Sequence, residues 1–106
     1  MDTSAVEDGD LTDSAAAERL WDALSMARVG ETAYSVADLE DAVFRLYLPM
    51  ARTLARTVVV SDVDRGGAEQ AAELGLSHAV LAWRQPSSSG FRRFARSTIV
   101  RQLLSL

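Results

Sequence analysis

Apolar residues recur along this chain at helical spacing, in four blocks. In the first, over about residues 14–27, Leu20, Trp21, Leu24 and Ala27 make one stripe, and Gly30 follows as a stop signal. The second opens at Ser35-Val-Ala-Asp38, a capping-box pattern in which the serine oxygen takes the amide proton three residues on and the carboxylate reaches back. It runs to about residue 59 and carries two stripes. One is Leu39, Val43, Leu46, Met50, Leu54 and Val58; the other is Phe44, Leu48, Ala51, Ala55 and Val59. Only a strip with Asp41, Arg45, Arg52 and Arg56 is polar, which predicts a helix central to a bundle. Pro49 falls inside it, removes one helical hydrogen bond and predicts a kink.

Residues 61–67 read as a turn with Ser61 or Asp64 as cap. The third helix is expected over about residues 68–83, with Ala72, Gly75, Leu76, Ala79, Val80 and Trp83 as its core stripe. Gln-Pro-Ser-Ser-Ser-Gly, 85–90, reads as a flexible loop. The fourth helix is expected over about residues 91–103. Phe91, Phe94, Ala95, Ile99 and Leu106 cover one side, and Arg92, Arg93, Arg96 and Arg101 spread over the other. The one short strand-like run, residues 57–60, continues the helical pattern. The pattern therefore predicts an all-α fold, a small bundle of about four helices. Residues 1–12 lack periodicity and read as a disordered acidic tail, and residues 13–106 as a single helical domain.

Composition adds limits. The chain of 106 residues has 48% hydrophobic residues, enough for one small core. It has no cysteine, which removes disulfides and thiolate metal sites and suits a reducing cytoplasm. No apolar run approaches the roughly 20 residues of a membrane span, and the acidic N-terminus is unlike a signal or transit peptide. There is no Gly-rich phosphate loop and no metal-ligand spacing, so neither an enzyme, a cofactor nor a metal is expected. His78, the only histidine, falls off the core stripe and reads as a surface residue.

Charge is polarised. Residues 1–24 are net −6 and residues 25–73 net −3, whereas residues 74–106 carry five arginines, at 84, 92, 93, 96 and 101, and no acidic side chain. Every basic residue in the chain is arginine, which makes planar, bidentate contacts to phosphate or carboxylate. Such a face is either a solvated surface or a site for a polyanion or an acidic protein.

Residues 38–103 resemble region 2 of the sigma-70 family of bacterial transcription initiation factors. Tyr47-Leu48-Pro49-Met50-Ala51-Arg52-Thr53-Leu54-Ala55 looks like the family's Leu-Pro-Leu-Val-Arg-x-Ile-Ala segment, helix-interior proline included. Gly75-Leu76-Ser77-His78-Ala79-Val80-Leu81-Ala82-Trp83 looks like its Gly-Leu-x-x-Ala-Val-x-x-Phe segment. Phe91-Arg92-Arg93-Phe94-Ala95, followed by Ile99, looks like Phe-x-x-Tyr/Phe-Ala-x-x-x-Ile, nearest the stress-response and sporulation type.

The resemblance implies that the third helix docks on the clamp helices of RNA polymerase core, and that the fourth meets the promoter −10 element. Aromatic rings would then capture unpaired bases while arginines neutralise the backbone. By this resemblance Arg92, Arg93, Arg96, Arg101, Phe91 and Phe94 are the DNA-facing candidates, although both phenylalanines also lie partly on the core side. Glu69, Gln70, Glu73, Leu74 and Leu81 are the candidates for polymerase or another protein partner, and the two leucines alternatively pack beneath the first helix. The sequence departs from the family in places. Only Gln70 matches the opening of the polymerase-docking helix, and Ser97 and Thr98 stand where primary sigma factors hold tryptophans. Two functional readings follow. One is a sigma-like domain, fragment or diverged relative acting in transcription; the other is a sigma mimic that binds an anti-sigma factor or another partner without touching DNA.

Overall fold

The computed structural model describes the backbone of residues 4–58, 65–85 and 87–106, and the side chains of α1 from residue 15 onward. Four helices occupy it: α1 Ser4–Arg28, α2 Val36–Thr57, α3 Arg65–Ala82 and α4 Phe91–Leu104. Among the described residues there is no strand, and the all-α class and the four-helix order are those the hydrophobic pattern predicts. α1 starts at Ser4, ten residues ahead of the expected start near residue 14. No proline interrupts residues 4–13, so the backbone can stay helical where the apolar stripe has run out. The expected turn at 61–64 and the candidate caps Ser61 and Asp64 lie outside the described residues. No described helix is long and apolar enough to cross a membrane.

By its internal contacts the chain divides into two compact units, Met1–Leu46 with Gln85–Ser88, and Tyr47–Arg84 with Ser89–Leu106. In the first, Ala17, Trp21, Leu24 and Ala27 of α1 are buried at helical spacing, and Val43 of α2 is fully buried. α1 ends in a Schellman motif. Gly30 sits at φ 78°, its N–H donates to the Ala27 carbonyl at 3.0 Å, and the Glu31 N–H donates to the Met26 carbonyl at 2.9 Å. The Ser35 hydroxyl accepts the Asp38 amide at 3.2 Å, so the expected cap starts α2. Arg28 closes this corner. Its guanidinium donates to Glu40 at 3.1 Å and lies 6.0 Å from the centre of the Trp21 ring.

The second unit is built from residues 47–57 of α2 with α3 and α4. On α2 the buried row is Tyr47, Ala51, Leu54 and Ala55; it runs between the two expected stripes, which leaves Leu48 and Met50 half-buried. α2 continues through Pro49. On α3 the expected stripe is buried from Ala72 to Val80, with Ala68 and Ala71 added, and Trp83 is half-buried. α3 and α4 form an antiparallel hairpin, because Trp83 meets Phe91 and Phe94 at one end while Gly75 meets Ile99 and Gln102 further along. On α4 the buried row is Phe91, Ala95, Ile99 and Leu103. Leu106, expected in the core, is 53% exposed. The helix ends at Leu104, so the four-residue repeat is completed by Leu103 instead. Burying each of Phe91, Ile99 and Leu103 contributes about 1.5–3 kcal/mol.

Candidate nucleic-acid interface

α4 begins directly after Gly90, whose φ of 85° turns the chain into the helix without any side-chain cap bond. A β-carbon there would stand 3.4 Å from the Trp83 ring, an ordinary van der Waals contact, so it is the backbone angle that calls for glycine. Four rings then fix how α4 lies. Tyr47 and Phe91 have centroids 4.7 Å apart with planes at 58°. Trp83 meets Phe91 edge-on at 5.7 Å and Phe94 at 5.4 Å. Such pairs add about 0.5–1.5 kcal/mol each beyond the area they bury.

With one face of α4 held by this cluster and by Ala95, Ile99 and Leu103, the other face is turned to solvent. Arg92, Arg93, Arg96 and Arg101 are all exposed, as is Arg84 at the end of α3. The Arg92 guanidinium lies 5.8 Å from the centre of the Tyr47 ring. Among the described residues Arg93, Arg96 and Arg101 make no ion pair; the pairs seen are Arg28 with Glu40 and Arg45 with Asp41. The second unit carries eight arginines and four carboxylates, net +4, and the first eleven carboxylates and three arginines, net −8. The chain's overall acidity therefore conceals a cationic unit whose most basic helix is α4.

The structure sorts the expected site residues. The four arginines share the open face of α4. Phe91 does not: it is fully buried between Tyr47 and Trp83, so it is a core residue and presents no face for a base. Phe94 is half-buried against Trp83. On α3, Gln70 is exposed and Glu69 and Glu73 are half-buried. Leu74 and Leu81 are 46% and 48% exposed. They share a side of α3 with exposed His78, at helical spacings of four and three residues. Tyr47 and Trp83 are the positioning residues that sequence reasoning missed as a pair. Tyr47 was legible only as the residue four beyond Val43, because the two broad stripes of α2 hid the narrower buried row between them.

Among the described residues no group of three or more histidine, aspartate or glutamate side chains is placed to hold a metal ion. Compared with models of known protein families, with curated proteins and with solved structures, the chain matches none.

Proposed function

We propose that this chain is a sigma-70 region 2-like domain that acts in transcription initiation or its regulation, with the arginine face of α4 as its promoter-DNA surface and α3 as its surface for RNA polymerase core. It works in the cytoplasm and without catalysis. The observation that carries the reading is the state of Arg93, Arg96 and Arg101, which are exposed, share one face and make no ion pair among the described residues. Guanidinium groups left in water cost little, but a helix that concentrates them while the rest of the chain is acidic suits a polyanion. The three ordered family-like segments support the same assignment. The test is fluorescence anisotropy with a labelled −10-type oligonucleotide at low salt. Binding that weakens with salt and is abolished by Arg93→Glu with Arg96→Glu supports the reading; no binding to DNA or to polymerase core overturns it.

A second reading is favoured by the exposure of Leu74 and Leu81, and by Leu104, which is 66% exposed on the arginine side of α4. It is a sigma mimic that binds an anti-sigma factor through these leucines, without DNA. Here Leu74→Ser with Leu81→Ser removes the partner from a pull-down and the arginine reversals leave it in place.

A further inference from the structure

We propose that α4 holds DNA by its phosphates and does not stack on unpaired bases, so that it takes duplex DNA at least as tightly as a single strand. This rests on the reading of the α4 face as a DNA surface and names what that surface selects.

A protein surface comes to prefer single strands by offering aromatic faces to bases. The face of α4 offers none in the open. Phe91 is buried between two rings. Tyr47 is buried too, with Phe91 and the Arg92 guanidinium set against it. Trp83 lies against Phe91 and Phe94, and Phe94 against Trp83. Among the described residues the one large aromatic that is well exposed is Tyr34, at 72%, and it belongs to the other unit. What the open face of α4 does carry is Arg93, Arg96, Ser97, Val100, Arg101 and Leu104. Thr98 is turned away from it in chemistry as well, since its hydroxyl donates to the Phe94 carbonyl at 2.9 Å.

Charge therefore decides the preference. Arg93 and Arg101 are eight residues apart, which spaces them along about 12 Å of helix axis at 1.5 Å per residue. Duplex DNA presents phosphates more densely than a single strand, and each neutralised phosphate releases more condensed counterion from it. With Arg92 held against Tyr47, three arginines remain. They predict a log–log salt slope of about −2.7 on duplex and about −2.1 on a single strand.

The experiment uses the full chain and three labelled oligonucleotides of one length: a duplex, its single strand, and that strand with abasic sites through its middle. Affinity is measured by anisotropy from low to physiological salt. The expected result is that the intact and abasic strands bind within about twofold of each other, that duplex binds equally or more tightly, and that the slopes stay near two to three. If the intact strand binds about tenfold tighter than the abasic one, and Phe94→Ala removes that difference, bases are being stacked and the proposal is overturned. If no oligonucleotide binds, or if Arg93→Glu with Arg96→Glu changes nothing while circular dichroism shows an unaltered fold, the DNA reading itself falls and takes this inference with it.

Discussion

The Cα of Ile99 occupies the place where a side chain on Gly75 would have to go: a β-carbon built on Gly75 stands 2.8 Å from it, and 3.3 Å from the Ile99 nitrogen. The obstacle is backbone, so it cannot swing aside. Here α3 and α4 pack with no room for a side chain between them, and its absence permits their separation. Alanine at 75 would gain about 1 kcal/mol of helix propensity, but forcing the helices apart costs about 1–3 kcal/mol. Gly75→Ala is therefore expected to destabilise by about 1 kcal/mol, lowering the midpoint of a thermal melt by about 4–8 °C for a domain of this size. A raised midpoint would show that the crossing opens freely.

Gly30 makes the opposite case. Nothing lies within 4 Å of a β-carbon there, yet φ is 78°. The cost of Gly30→Ala is thus conformational, about 1–2 kcal/mol for an L-residue in the left-handed region. Gly30→Asn should recover part of it, because asparagine tolerates that conformation. Urea midpoints of the three proteins check this. Alanine and asparagine falling equally would mean that the turn, not the backbone angle, is at fault.

Phe91 tests the division between core and surface on α4. As the ring at the centre of the Tyr47–Trp83 cluster and fully buried, it should cost about 3–5 kcal/mol when truncated to alanine. That is a large share of the stability of a small domain. Phe94→Ala, at a half-buried position, should cost clearly less. Far-ultraviolet circular dichroism against urea separates the two. A well-folded Phe91→Ala protein that had lost only DNA affinity would contradict the core assignment.

Much of this arrangement was legible in the residue pattern, and the exceptions have physical causes. The α3 stripe could be read directly because small residues mark close packing: Ala72, Gly75 and Ala79 lie on the side that faces another helix. The Ser35 cap was visible because it needs only a hydroxyl and an amide three residues on. α2 was harder. With apolar residues on most of its surface, periodicity could not say which row was buried, and the row through Tyr47 and Ala51 won. On α4 the stripe expected from the sequence ran on to Leu106, which the end of the helix at Leu104 excludes, and Leu103 takes its place. The arginine face was plain from the sequence, but that Arg93, Arg96 and Arg101 make no ion pair among the described residues was not, since pairing depends on where carboxylates elsewhere in the fold are carried.

Glu18 supplies a prediction about pH. Its carboxylate accepts the Ser87 hydroxyl at 3.1 Å and the Ser88 amide, tying α1 to the segment that leads into α4. The Ser88 hydroxyl, then the Ser88 amide and the Ser87 hydroxyl, favour the ionised form and hold this carboxyl below its ordinary 4.5, against a smaller opposing effect of desolvation. A carboxyl whose value is lowered on folding stabilises the fold above its unfolded value and loses that contribution as pH falls through the folded one. Glu18→Gln should therefore melt below the native protein at neutral pH, by a gap that holds down to about 4.5 and narrows in more acidic buffer. The contact is exposed, so the gap should be small. The sharper readout is an NMR titration of the Glu18 carboxyl carbon, which should move below 4.5 in the native protein and return to that value in urea. Titration at the ordinary value under native conditions would mean that Ser87 and Ser88 do not hold the carboxylate in solution.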